Sequence, residues 1–472
     1  MPILDDTIAA IATAPGAGGL AVVRVSGPQA LSLTDAVFRG ASPLAEAPSH
    51  TVHHGWAVWP AGDGGGAPPA TAAGRRLDEV VVAVFRGPRS YTREDVAEVS
   101  CHGGELPSRG VLAALLAAGA RLAGPGEFTL RAFLHGRIDL SQAEAVADVI
   151  EAATSRAHAL ALAQLAGGLS RVVEGLADRL ADAVAEVEAR VDFAEDVGGI
   201  EVPPHVVAAI AALDRDLAAL LETAPWARAV REGVRIPLVG RPNVGKSSLF
   251  NALLGEARAI VTDVPGTTRD RVSEAIDVAG IRVTLSDTAG LRDTDDAVEA
   301  IGVARTREAL AGAALVVWVV DAAAPLSQED HRIAALLAGR PVLVALNKCD
   351  RPRVVGPAEV AALPGRTAGP IVTVAATTGE GLESLRAALT GMLGGGDVDG
   401  LGVAVGNLRH AEAIGRARQA LTRSAGAAAA ALPGEIVALE LREGLTALGQ
   451  VTGRSVDDDL LDRIFGKFCV GK

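Results

Sequence analysis

The octapeptide Gly240-Arg-Pro-Asn-Val-Gly-Lys-Ser247 constrains this chain more than any other stretch. It has the form GxxxxGK[ST], follows the apolar run Val234 to Val239 and opens the helix-compatible run Ser247 to Leu254. A strand, turn and helix with these glycines turn backbone N–H groups toward one phosphate-sized centre, with the helix N-terminus behind them. Lys246 then reaches the terminal phosphates and Ser247 offers a hydroxyl to Mg²⁺, while Asn243, Val244, Gly245 and Ser248 complete the loop. A plain glycine-rich turn is the competing explanation, and it weakens with each motif that follows.

Apolar runs recur at Ile281 to Ser286, Ala314 to Val320, Pro341 to Leu346 and Ile371 to Val374, separated by helical stretches such as Glu299 to Ala311. That alternation predicts a mostly parallel, doubly wound α/β sheet. Asp287-Thr288-Ala289-Gly290 ends the first of these runs, where Asp287 can hold Mg²⁺ through water and the Gly290 N–H can sense a γ-phosphate. Asn347-Lys348-Cys349-Asp350 ends the third, and its chemistry is base selection. One carboxylate, Asp350, accepts from both N–H donors on the guanine edge, whereas adenine lacks the exocyclic amine. The loop Val374 to Thr377 stands where a base would be backed. Three motifs in this order at strand ends point to GTP.

Hydrolysis is less clear from the residues. The position after DTAG is Leu291, which has no donor or acceptor with which to orient water. Glu299 is a candidate for that task and equally a first-turn glutamate favoured by the helix dipole. Developing charge also needs a cation. Asn243 with the polar loop Thr262-Asp263-Val264-Pro265-Gly266-Thr267-Thr268 can cage a monovalent ion, and Arg269, Arg271 or Arg292 can serve as an arginine finger instead.

The 472 residues are long enough for several domains, and 49% hydrophobic against 21% charged residues exclude a disordered chain. Residues 1 to about 120 read as α+β, with strand-like runs at Thr7 to Thr13, Leu20 to Val25 and Val80 to Phe85 and a helix-like run near Val111 to Ala118. Pro60 to Gly74 reads as a surface loop. From Ser141 to about Phe193 the chain reads as helical, with Ser141 and Glu144 as a capping box, and a further helix is expected from Val206 to Glu222. The expected domains are 1–121, a helical domain from 122–228 plus 393–472, and an inserted GTPase domain at 229–392. No apolar run approaches a membrane span, no signal peptide is evident, and Cys101, Cys349 and Cys469 make no disulfide or metal spacing, so a cytoplasmic protein with reduced thiols is expected. A net charge of -13 excludes bulk electrostatic coating of nucleic acid. Only four lysines occur, Lys246, Lys348, Lys467 and Lys472, and all fall in motif regions.

Taken together, GRPNVGKSSLFNALLG, TDVPGTTRD, DTAGLR and NKCD, the N-terminal DTIAAIATAPGAGGLAVVRVSG, YTREDVAEVSCHGG and PGEFTLRAFLHGRIDLSQAEAVADVI, and the ending IFGKFCVGK resemble the tRNA modification GTPase (MnmE, or TrmE) family over essentially the full chain. The resemblance implies an N-terminal domain that forms a homodimer and binds a one-carbon tetrahydrofolate through Arg24, Glu98, Arg137 and Lys472, with Tyr91 a candidate to stack on the pterin. It implies a Ras-like GTPase domain in which Asn243, Thr262, Val264 and Thr267 hold K⁺, Ser247 and Thr268 hold Mg²⁺, and Glu299 orients the water. It further implies a partner, MnmG (GidA), which carries FAD, and a joint modification of the wobble uridine of certain tRNAs with a carboxymethylaminomethyl-type group. Cys469 is a candidate functional thiol and equally a small apolar residue of the tail. A regulatory GTP switch or ribosome-assembly GTPase is the competing class. Such factors commonly add a basic RNA-binding module, which these acidic flanks lack. A membrane-remodelling role would need a basic amphipathic helix, and none is evident.

Overall fold

β2 (Leu20–Ser26) forms where buried Ala21, Val23 and Val25 alternate with the more exposed Leu20, Val22 and Arg24, the period of a half-buried strand, and β1 (Ile8–Ile11) beside it buries Ile8, Ala9 and Ala10 in succession. In the computed structural model, which describes residues 5–60, 74–192, 202–256, 273–287, 310, 312–363, 369–394 and 403–472, they join β3 (Phe38–Gly40), β4 (Thr51–Val58), β5 (Arg76–Phe85), β6 (Val96–His102) and β7 (Arg121–Leu122). The seven-stranded sheet has the order β3-β4-β5-β6-β2-β1-β7, and its pairs are antiparallel except β1 with β7. One face packs on the helix Glu105–Ala117 through Val111, Ala114 and Leu115, covering Val23, Val25, Val82 and Val99. The β2–β6 register sets Arg24 directly opposite Glu98. This sheet belongs to a unit of Met1–Ala147 with Thr446–Lys472, and Asp148–Leu445 forms a second unit.

Behind β1 lies a buried ion network. Arg131, on the helix Glu127–Leu134, is fully buried, with its guanidinium donating to Asp6, to Glu94 at 3.0 Å and to Glu127 at 3.1 Å. Arg121 donates to Asp6 and Glu127 as well. Burial pushes the Glu127 carboxyl up, but bonds from Arg121, the Gly124 N–H and Arg131 outweigh it, so the net shift is downward. Asp6 is lowered in the same way, with burial opposing and the two arginines prevailing.

The helix after this network begins two residues earlier than Ser141 and Glu144 suggest. Asp139 caps Leu140–Glu151: its carboxylate accepts from the Gln142 N–H at 2.9 Å, and the Gln142 side chain accepts from the Asp139 N–H at 2.9 Å. Aspartate and glutamine thus make the reciprocal box, and Ser141 donates to Asp139 from inside the first turn.

In the second unit, Thr154 caps Ser155–Leu165, and the long helix Gly168–Asp192 buries Leu169, Val173, Leu176, Leu180, Val184 and Val187 at spacings of three and four. Pro204–Glu222 packs along Leu408–Ala429, where Arg418 makes a two-pronged pair with Asp214 at 2.9 and 3.2 Å. The second sheet contains β8 (Val234–Val239), β9 (Ser273–Val278), β10 (Ile281–Asp287), β11 (Val316–Asp321), β12 (Val342–Asn347) and β13 (Ile371–Thr373), in the order β13-β12-β11-β8-β10-β9. All its pairs are parallel except the edge hairpin β9–β10. The buried strands β11 and β12 read as unbroken apolar runs, as strands covered on both faces do. The turn between β9 and β10 docks on the helical part. Thr154 donates to Gly280 O at 2.7 Å and Arg156 to Ala279 O at 3.2 Å, while a Cβ on Gly280 would stand 2.7 Å from the Arg156 Cβ. Among the described residues, no helix is long and apolar enough to cross a membrane. Nearly all of the expected helix Glu299 to Ala311 and of the loop Pro60 to Gly74 lies outside the described residues.

Arg131→Met should destabilise the N-terminal unit by about 3–5 kcal/mol, because it strands three carboxylates around an apolar side chain; chemical denaturation followed by circular dichroism reads this directly. The lowered carboxyls of Glu127 and Asp6 give stability that is complete above the unfolded carboxyl range, about pH 4–4.5, and that disappears as pH falls through their folded values. Thermal scans should therefore show the wild type losing its advantage over Arg131→Met on acidification.

Candidate functional site

The parallel sheet aims the C-terminal ends of β8, β10, β11 and β12 toward one edge, where ligands of open α/β sheets sit. β8 is central, and the turn after it runs into the helix Lys246–Glu256. Two residues of that turn adopt left-handed backbone, Asn243 at φ 62° and Gly245 at φ 95°. Successive turned N–H groups of this kind form an anion-binding concavity. A Cβ on Gly245 would lie 2.3 Å from the Asn347 Nδ2, so only glycine permits the approach. The Lys246 ammonium is held inside the loop, donating to Gly240 O at 2.7 Å and to Arg241 O at 2.9 Å. Ser247 and Ser248 are exposed on the first helical turn.

The end of β12 closes on the same loop. Asn347 is buried, donating through Nδ2 to Val244 O at 2.8 Å and accepting at Oδ1 from the Ala376 N–H at 3.1 Å. Lys348, at φ 67°, donates to Asn243 O at 2.7 Å and to the buried carboxylate of Asp321 at 2.6 Å. Asp350 is exposed and accepts from Thr377 at 3.4 Å. The structure thus brings together Asn243 to Ser248, Asn347, Lys348, Asp350 and the Val374–Thr377 loop, and the Asp287 backbone ends β10 beside them in the sheet. Thr262, Asp263, Val264, Thr267, Thr268, Thr288, Ala289, Gly290 and Glu299 lie outside the described residues, as do Leu291 and the candidate finger arginines Arg269, Arg271 and Arg292.

The N-terminal unit carries a separate cavity of about 530 Å³. Arg24, Glu98 and Arg137 line it together. Arg24 pairs with Glu98 through two nitrogens at 2.9 and 2.8 Å. The guanidinium carbons of Arg24 and Arg137 lie 5.0 and 4.8 Å from the Tyr91 ring centre, and the Tyr91 hydroxyl meets Thr129 at 2.9 Å. Lys472 is outside this lining; its backbone oxygen accepts from the Phe128 and Thr129 N–H groups at the start of the helix Glu127–Leu134. Cys469 is exposed in the docked tail. Cys101 is buried, and burial with the nearby Asp78 charge pushes its thiol up to about 11.

Two family models match this chain, the MnmE helical domain over residues 140–469 and the GTP-binding protein TrmE N-terminus over residues 7–137. The tRNA modification GTPase MnmE of Symbiobacterium thermophilum is 48% identical over 473 residues, covering 99% of this chain and 100% of that protein. The proteins of the same name from Chloroflexus aurantiacus and Listeria innocua are 45% and 42% identical, each over 99% of this chain and 100% and 99% of their own length. The chain belongs to the MnmE/TrmE family.

Within this MnmE/TrmE chain, Asp321 and Asp330 escaped the motif search, as did the pairing made by Arg241. Asp321 anchors Lys348, and its signal was an aspartate closing the buried apolar strand β11. Arg241, inside the phosphate loop, pairs at 3.3 Å with Asp330, which is also the partner of Ser327 in a helix-capping box. That pairing joins residues 89 positions apart and has no local signature.

Asp350→Asn should move base preference from guanine to xanthine, since an amide donates where xanthine carries a C2 carbonyl. Competition with labelled GDP should show at least about a tenfold loss for GTP and a matching gain for xanthosine triphosphate.

Proposed function

We propose that this chain hydrolyses GTP within the modification of the wobble uridine of tRNA, as a cytoplasmic homodimer acting with the FAD-carrying MnmG and a one-carbon tetrahydrofolate. The observation that supports the GTPase half most directly is the Asn347 side chain. It joins the phosphate loop to the base-reading segment in a single geometry.

Each residue has a derivable task. On nucleotide binding, Lys246 exchanges its two loop carbonyls for phosphate oxygens, and the turned N–H groups around Gly245 take the remaining charge. Asp350 reads the guanine edge. The exposed Ser247 hydroxyl at the helix start suits a Mg²⁺ ligand, with Thr268 as its companion, and Mg²⁺ supplies charge neutralisation between the phosphates. Asn243, Thr262, Val264 and Thr267 are assigned to K⁺, which supplies the positive charge that an arginine finger gives elsewhere. Asn243 suits the role, because its left-handed backbone stands at the phosphate-facing tip of the loop. Glu299 is assigned to hold and polarise the attacking water, since Leu291 has no polar atom.

In the N-terminal cavity, Glu98 accepts from the N–H-rich edge of a pterin while Arg24, paired with it, holds that carboxylate in place, and Arg137 faces the anionic glutamyl end of the folate. A volume near 530 Å³ is in the range of cofactor sites. Lys472 acts there through the backbone contact that fixes the helix bearing Phe128 and Thr129. Cys469, exposed in the same tail, is assigned as an accessible thiol.

GTP turnover should rise severalfold when K⁺ replaces Na⁺, and Glu299→Ala should bind GTP normally while hydrolysing it slowly. Equal rates in both salts would remove the K⁺ assignment. In the same preparation, calorimetry with 5-formyltetrahydrofolate should give heat that Arg24→Ala abolishes, and an absence of heat with the intact protein would favour the regulatory or ribosome-assembly class.

A further inference from the structure

We infer that the N-terminal cavity selects folates with a poly-γ-glutamyl tail, and that Arg89 and Arg93 at its rim are the residues that read the added carboxylates. The inference rests on the folate reading above and extends it to the form of the cofactor.

The charge balance points outward from the pterin end. The cavity is lined by Arg24, Arg89, Arg93 and Arg137 against one carboxylate, Glu98, which gives four positive charges less one negative, or +3. Arg24 is already neutralised by its two-nitrogen pair with Glu98. Arg137 has its guanidinium over the Tyr91 ring and makes no ion pair among the described residues. A folate with one glutamate has two tail carboxylates, so three uncommitted guanidiniums exceed it. Each further γ-linked glutamate adds one carboxylate and extends the tail toward the exposed rim.

Arg93 is the second observation. Its backbone is left-handed, at φ 63°, a conformation that strains every residue with a Cβ and that glycine adopts freely. Its exposed side chain uses one of five donors, giving a single hydrogen bond to His135 O at 2.9 Å. That bond aims the guanidinium beside the cavity. One carbonyl contact is a small return for a strained backbone, and strain retained at a ligand-lining position points to the ligand. Arg89 stands on the same loop, exposed, with no side-chain partner among the described residues. Paired guanidinium forks on a mobile chain of carboxylates suit two-pronged recognition, which a single ammonium does not give.

The test is calorimetric titration of the full-length protein with monoglutamyl and triglutamyl 5-formyltetrahydrofolate, repeated in about 0.5 M salt. Two additional exposed ion pairs correspond to roughly a three- to thirtyfold preference for the triglutamyl form, and salt should shrink it. In Arg89→Gln/Arg93→Gly the ratio of the two affinities should fall to within about twofold of one. The glycine relieves the backbone, so the variant's melting temperature should stay at or above the wild-type value, which separates lost recognition from lost folding. Equal affinities for the two forms in the wild type would overturn the inference and leave the folate reading standing. A preference that survives in the double variant would overturn the role of the two arginines, as would a variant that keeps the ratio and loses affinity for tRNA. Heat with neither form would remove the folate reading and this inference with it.

Discussion

The amide of Asn347 is the contact on which the nucleotide site depends. Its nitrogen holds the phosphate loop through Val244 O and its oxygen holds the base-facing loop through the Ala376 N–H. Both bonds are buried or nearly so, where a hydrogen bond is stronger than in water and an unmet partner is costly. No other residue type offers a donor and an acceptor at this length and in this plane except glutamine, which is one methylene too long. Gly245 yields the space that the amide occupies, and Lys348 adds a charged clasp between the same loop and Asp321. The phosphate and base halves of the site are therefore fixed relative to one another before any ligand arrives.

The N-terminal unit rests on a comparable device made of charge. Arg131 is surrounded by Asp6, Glu94 and Glu127, which come from the start of the chain, from the loop before β6 and from the helix of Arg131 itself. The same Glu94 accepts from Ser26 at the end of β2, so the network ties down the strand that carries Arg24. The Arg24 to Glu98 pair then lies across β2 and β6, with its geometry set by strand register, not by the loops. Structural charge behind the sheet and the Arg24–Glu98 pair that lines the cavity are thereby kept apart.

The nucleotide motifs were legible because each is local: a phosphate loop needs its glycines and lysine within eight residues, and the base-reading segment needs four. The apolar runs of β11 and β12 were equally plain, since strands covered on both faces carry apolar side chains at successive positions, and in β8 only the exposed Arg235 breaks the run. β4 and β6 were not singled out, because His53, His54, Glu98 and Ser100 dilute their alternation with polar side chains that only a partner strand explains. The first turn after Ile138 shows the limit of local reading at its finest. Ser141 with Glu144 and Asp139 with Gln142 both satisfy the capping pattern two residues apart, and the packing of Leu140 in the core selects the second.

What the sequence determined by itself was the chemistry available at strand ends: a glycine-rich GxxxxGKS turn, a carboxylate at Asp350 of the kind that can accept from a guanine edge, and the missing polar atom at Leu291. What only the tertiary structure decided was which distant side chains complete those motifs. Asp321 meets Lys348, Arg241 meets Asp330, and Arg89 and Arg93 gather with Arg24 and Arg137 around one cavity. Short-range spacing is written into the chain because backbone geometry fixes it, whereas meetings between residues tens of positions apart are chosen by strand register and core packing, which no local pattern encodes.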